Sequence, residues 1–280
     1  MRIRSHCLVL LLLISTILCA CTRSSGREEN LNAVLWVQTS VEYIATTTGI
    51  YAAATAALQQ SFDVEIDAPG QMAVVLDLDE TIFNNSRYKA HELQVKSREQ
   101  ITSWDQWAAL RNATAVPGAV EFIRASQELG VNVRIITNRR CAKRPNDLDS
   151  CPQREDVLAN LRHIGVEIND YALLMKGDKP PDRCMGLLSD AEKEAGTWST
   201  SDKTSRHECI GHDYDIVMML GDQLSDFVGD SGSLTLASRD ALQSQHQDKW
   251  GKTWFMIPNP TYGAWWRLLY PDRRSHLRGE

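Results

Sequence analysis

An α/β fold, a Rossmann-like parallel sheet with a small and mainly helical cap, is predicted by three features of this sequence. Short apolar runs recur at Met72–Leu76, Val131–Ile136, Tyr171–Met175, Ile216–Leu220 and Thr253–Ile257. Segments of helical pattern separate them, such as Gly118–Leu129 after Pro117 and Gln153–His163. Alternation of this kind argues parallel strands joined by helices. Several runs also end in polar residues, and the C-terminal edge of such a sheet is where its site lies.

Taken in chain order, Arg2 and Arg4 precede an apolar core from Leu8 to Leu18, the pattern of a secretory leader over residues 1–20. Leu18-Cys19-Ala20-Cys21 resembles a bacterial lipobox, with Cys21 as the lipidated first residue of the mature chain; the alternative is a cleaved signal and a soluble periplasmic protein. Several acyl chains would make the membrane anchor stable. Residues 21–30 form a polar tether. Residues 31–68 form an N-terminal helical segment, Ala-rich from Leu31 to Phe62, with a break expected near Gly49 and with Trp36, Tyr43 and Tyr51 along it. The core is expected over 69–270, with Asn84 to Ala115 interrupting it as the cap and Pro180 to Thr200 as an irregular loop insertion. Residues 271–280 are a polar tail.

The 280 residues suffice for a sizeable core. A net charge of −6 supplies no basic face for a nucleic-acid polymer. After the leader no apolar run is long enough to span a membrane. Beyond the leader stand Cys21, Cys141, Cys151, Cys184 and Cys209, so a lipidated Cys21 leaves an even number for an oxidising compartment. Those four allow three pairings, among which sequence does not select. Cys141–Cys151, clipping a polar insert, with Cys184–Cys209 is the working expectation. Their spacings match no common zinc pattern.

Four motifs carry the chemistry. Val74-Val75-Leu76-Asp77-Leu78-Asp79-Glu80-Thr81 ends a strand with two carboxylates that share a face. Thr137-Asn138 ends the next run. Ser201-Asp202-Lys203-Thr204-Ser205-Arg206 opens a helix, with Ser201 as its expected cap. Gly221-Asp222-Gln223-Leu224-Ser225-Asp226 ends the fourth run. Each alone also reads as a strand-ending turn or a solvated surface charge. In this order they resemble the haloacid dehalogenase (HAD) superfamily of aspartate-nucleophile phosphatases.

On that resemblance Asp77 would attack phosphorus to give an aspartyl-phosphate, and Asp79 would protonate the leaving alcohol and then activate water. The Thr137 hydroxyl, with main-chain N–H groups at Thr137-Asn138, would hold phosphoryl oxygens. Lys203 would neutralise charge, with Arg206 as its helical neighbour; Lys176 is the runner-up, since the family's lysine sits on the helix preceding the fourth motif. Asp77, the main-chain oxygen of Asp79, Asp222 and Asp226 would form an all-oxygen site suited to Mg2+, Asp226 acting through water or by orienting Lys203.

The resemblance narrows on Trp36-Val37-Gln38-Thr39-Ser40-Val41-Glu42-Tyr43, Asn85-Ser86-Arg87-Tyr88, Trp104-Asp105-Gln106-Trp107, Ala115-Val116-Pro117-Gly118-Ala119-Val120-Glu121-Phe122 and the segment Gly251 to Trp265. These look like the class C bacterial acid phosphatases, outer-membrane lipoproteins that dephosphorylate nucleotides and related monoesters. The similarity runs from about Trp36 to Trp265 and departs at the cysteine-bearing inserts. It implies a small phosphomonoester substrate, a 5′-nucleotide or nicotinamide mononucleotide, stacked on Trp104 and Tyr262 with Tyr88 as a third candidate. The alternative role of these aromatics is as core or interface anchors. By analogy the family's homodimer would use the N-terminal helices. Two other readings are a sugar-phosphate phosphatase or phosphotransferase, and a surface-binding lipoprotein without catalysis.

Overall fold

The computed structural model describes residues 30–62, 69–94, 103–229 and 234–279. The leader, Cys21 and nearly all of the tether fall outside them. In chain order the strands are β1 (Met72–Leu76), β2 (Phe83–Asn84), β3 (Thr114–Ala115), β4 (Asn132–Arg140), β5 (Leu173–Lys176), β6 (Asp215–Gly221) and β7 (Trp254–Met256). The helices are α1 (30–39), α2 (Val41–Phe62), α3 (Ser86–Leu93), α4 (Trp104–Ala109), α5 (Ala119–Glu128), α6 (Pro152–His163), α7 (Asp190–Ala195), α8 (Thr204–Asp213), α9 (Leu236–Gln245) and α10 (Ala264–Arg267).

β1 is buried at every position, as a strand covered on both faces must be. It is the centre of a parallel sheet in the order β5-β4-β1-β6-β7. From β1 the chain builds outward through β4 and β5, then crosses to the other side of β1 for β6 and β7. The order therefore reverses at β1, and a crevice opens past its C-terminal end. This is the α/β architecture the apolar runs predict.

Strand alternation sorts the two faces. Val74, Leu76, Val133, Ile135, Met218 and Leu220 join one core with Tyr51 and Leu58 of α2, Phe122 of α5 and Val157 of α6. Ala73, Val75, Ile136 and Leu174 face a second core with Leu188, Trp198 and Ile210. α2 is fastened to the core by the buried Tyr51, whose hydroxyl donates to the Thr81 carbonyl at 2.7 Å. Gly118, at φ +93°, lies so close to Tyr51 that a side chain there would displace it. Between β2 and β3, which pair antiparallel, the described residues include the helices α3 and α4.

Three local expectations are corrected. The N-terminal helices part at Ser40, not near Gly49: the Ser40 hydroxyl accepts the Tyr43 N–H at 3.1 Å, opening α2, while Gly49 lies in mid-helix. Pro180 to Thr200 is largely structured, with a 3-10 turn at Asp182–Leu187 and then α7. Ser189 and Glu192 cap α7 reciprocally, a spacing visible in the sequence. Ser201 does not cap α8. Asp202 Oδ1 accepts the Thr204 N–H at 2.8 Å, and the Ser201 hydroxyl accepts from Lys176.

Both expected disulfides are formed. Cys141–Cys151 closes the segment after β4, and Cys184–Cys209 ties the insertion to α8. Among the described residues no helix is long and apolar enough to cross a membrane.

Candidate active site

Past the end of β1 a cleft of about 460 Å3 is lined by Asp77, Asp79, Thr137, Lys203, Asp226 and Tyr262, with Trp104, Asn138 and Arg139 on its walls. Each side chain is delivered by the end of a different element. Asp77 follows β1, Thr137 and Arg139 belong to the last turns of β4, Lys203 precedes α8, and Asp222 follows β6.

Lys203 lies on the cleft floor with its side chain only 2% exposed. Its ammonium donates to Asp77 Oδ1, to Asp226 Oδ1 at 2.8 Å and to the Ile136 carbonyl at 3.0 Å. The other Asp226 oxygen accepts the Gln223 N–H at 2.9 Å. Any side chain at Gly221 would collide with Asp226, so the Gly-Asp-x-x-x-Asp turn is closed tightly onto itself. Asp222 Oδ2 accepts from Asn259 Nδ2 at 2.7 Å.

Burial and crowding set the charge state. Burial pushes the Asp77 carboxyl up to about 7 against the pull of Lys203, with Asp226 and Asp79 adding repulsion. Burial likewise raises Asp222 well above the carboxylate range, helped by Asp226 and Asp77. Burial works against the Lys203 ammonium, but Asp226 and Asp77 outweigh it and hold its pKa up. Oxygen atoms of Asp77, Asp222 and Asp226 lie within 4.8 Å of one another. Three carboxyl groups of hard oxygen donors share one ammonium, so ionising all of them calls for further positive charge. That donor set fits a divalent cation.

Asp79 stands outside this trio. Its Oδ1 accepts from Asn85 Nδ2 at 2.9 Å and from Arg139 Nη2 at 2.7 Å, and Oδ2 accepts from Arg139 Nε at 3.0 Å. The Thr137 hydroxyl accepts the Arg139 N–H at 3.0 Å, which leaves its own proton to donate into the cleft. Asn138 has its side chain committed: Nδ2 donates to the Ser201 carbonyl at 2.9 Å, and Oδ1 accepts from Arg206 at 2.9 Å. The buried Arg206 also donates to the Thr137 and Asp202 carbonyls, at 2.8 and 2.9 Å, bracing β4 against the Lys203 loop. Burial brings its pKa down to about 10, so it stays charged at neutral pH.

Of the three aromatic candidates, Trp104 and Tyr262 line the cleft and Tyr88 does not. Tyr88 is buried and packs against Trp104, ring edge to face at 5.0 Å. The Tyr262 hydroxyl donates to Glu80, a buried carboxyl pushed up to about 8 by burial and then by Asp79. Asn259 Oδ1 turns the chain toward Tyr262 by accepting the Thr261 N–H at 2.9 Å. Lys176 lies off the cleft, donating to Ser201 Oγ at 2.8 Å.

Sequence reading passed over Arg139, Glu80, Asn85 and Asn259. Arg139 had a visible signal, since it follows Thr137-Asn138 directly and shares the strand face of Thr137.

Over residues 17–265 the chain matches the family described as HAD superfamily, subfamily IIIB (Acid phosphatase). It is similar to two solved structures of the class C acid phosphatase from Bacillus anthracis, one with tungstate bound. Both are 25% identical to it, cover 91% of this chain and 98% of their own, and superpose with TM-scores of 0.73 and 0.72.

Proposed function

Because the chain belongs to the acid phosphatases of HAD subfamily IIIB, hydrolases of phosphate monoesters, we propose that it works through an aspartyl-phosphate on Asp77 with a divalent cation, magnesium. The observation that carries this reading is the Lys203 ammonium bridging Asp77 and Asp226 at the floor of the cleft.

Asp77 attacks phosphorus, and the bond from phosphorus to the ester oxygen breaks. The departing oxygen takes a proton from Asp79, which then removes one from the water that frees Asp77. Lys203 balances charge shared by Asp77 and the phosphoryl group, and the Thr137 hydroxyl donates to a phosphoryl oxygen. Asp77, Asp222 and the main-chain oxygen of Asp79 would hold the cation, while Asp226 orients Lys203. When bound, a divalent cation supplies Lewis-acid stabilisation of the phosphoryl charge.

The substrate class follows from the walls. Trp104 and Tyr262 flank the cleft, and an aromatic face stabilises a stacked base by roughly 1–3 kcal/mol. We take 5′-nucleotides and nicotinamide mononucleotide as the substrates. The leader and the two disulfides support an exported protein anchored through lipidated Cys21 at the outer membrane, with α1 and α2 as the homodimer face.

The test is phosphate release from 5′-nucleotides, nicotinamide mononucleotide, sugar phosphates and 4-nitrophenyl phosphate, after chelation and with magnesium restored. Metal-dependent preference for nucleotides is expected, together with a rise in melting temperature on adding magnesium. Equal rates on every ester would remove the stacking platform, and full activity after chelation would remove the metal.

A further inference from the structure

Arg139 is the best-buried cation of the cleft that the mechanism above leaves without a task. Its side chain is 3% exposed, and its guanidinium grips the Asp79 carboxylate from one edge. Nε lies 3.1 Å from Oδ1 and 3.0 Å from Oδ2, and Nη2 lies 2.7 Å from Oδ1. The plane rests on aromatic rings, with Cζ 5.1 Å from the Phe83 centroid and 5.6 Å from that of Trp104. Asn85 completes the clamp. Its Nδ2 donates to Asp79 Oδ1 at 2.9 Å, while its own Oδ1 accepts from Trp107 Nε1 at 2.9 Å.

The donors are shared unequally. Oδ1 of Asp79 receives Asn85 Nδ2, Arg139 Nη2 and Arg139 Nε, which exhausts its lone pairs. Oδ2 receives Arg139 Nε alone and keeps capacity for a proton. A bidentate guanidinium also fixes the rotation of the carboxyl group, which a single ammonium would not.

We infer that Arg139 and Asn85 are positioning residues that present Oδ2 of Asp79 to the leaving group. The inference deepens the acid role proposed for Asp79 and rests on it. As the Asp77–phosphorus bond forms, the bond to the ester oxygen breaks and its electron pair stays on that oxygen. The oxygen takes the proton from Oδ2, and the carboxylate left behind is met by Arg139. Trp107 and Trp104 share the short helix α4, so the helix that flanks the cleft also seats the clamp.

A misaligned acid harms substrates in proportion to how poor their leaving group is, which a purely structural residue or a phosphate binder would not do. The experiment measures kcat/KM for a nucleoside 5′-monophosphate and for 4-nitrophenyl phosphate in Arg139→Met, Arg139→Lys, Asn85→Ala and Asp79→Asn, each checked for a native melting transition. Arg139→Met is expected to lose about 100-fold on the nucleotide, the lower end of what general acid catalysis contributes, and only about 3-fold on the nitrophenyl ester. Arg139→Lys and Asn85→Ala are expected to bias the same way less strongly, and they carry the test if Arg139→Met does not fold. Equal losses on both esters, or none, in the Arg139 and Asn85 variants would overturn the inference while Asp79→Asn still shows the bias. Equal losses in Asp79→Asn itself would instead overturn the acid role beneath it.

Discussion

The charge balance of the cleft turns on single residues. Asp77 sits buried among like charges with only Lys203 to offset them, so its ionised form costs stability. Asp77→Asn keeps the volume and removes one of the crowded charges. Turnover should fall by about 10^4-fold or more, the scale of losing a nucleophile, while the melting temperature stays level or rises. Steady-state assays and a thermal melt on that variant check both. His207 of α8, half-buried near Lys203 and Arg206, makes a second prediction. Burial, then Lys203 and Arg206, hold its imidazole down to about 3 in the folded state, against an ordinary value near 6.5. Between those values the unfolded chain binds a proton that the folded chain refuses, so stability falls as pH drops through that window. His207→Gln should narrow the difference in urea midpoint between about pH 7 and about pH 4; an unchanged difference would assign the acid sensitivity elsewhere. At this scale the sequence speaks through local spacing. Asp77, Asp79, Asp222 and Asp226 stand in short motifs, whereas the Arg139–Asp79 pair joins residues 60 positions apart and leaves no local pattern. Glu80 reads as one more solvated acid because its positive φ of 60° and its burial arise only on folding.

The elements were legible where burial is uniform. β1 coincides with its apolar run, since a central parallel strand is hydrophobic on both faces. β4 runs on to Arg140, beyond its apolar run, because its last residues line the site and not the core. The insertion before α8 was least legible, being held by a short capped helix and the Cys184–Cys209 bridge in place of a periodic apolar face. That bridge spans 25 residues of sequence and packs against Ala73, Val75 and Ile136 on the face opposite α2. Replacing both cysteines by alanine should lower stability by about 3 kcal/mol, as expected for a loop of that size. The value of kcat should stay within a few-fold, because the cleft is built from the strand ends. Urea unfolding and steady-state kinetics on the double variant check this, and loss of activity at native stability would mean that the insertion shapes the site.

At the scale of the whole molecule, the reversal of strand order at β1 brings residues from widely separated stretches of chain to one crevice. The two-sided sheet and its two cores supply the rigidity that holds a crowded acidic cluster in place. The anchoring proposed through a lipidated Cys21 has its own test: Cys21→Ser should move the protein from the membrane fraction to the soluble fraction, and retention on the membrane by that variant would exclude Cys21 as its anchor. The most direct test is to quench the enzyme in acid during turnover and map the phosphoryl group by mass spectrometry. A phosphoryl group on Asp77, absent from Asp77→Asn and released by hydroxylamine, is the predicted result. A phosphoryl group on another residue would contradict the mechanism, as would turnover with inversion at phosphorus and no trapped phosphoenzyme, which means a single direct displacement by water.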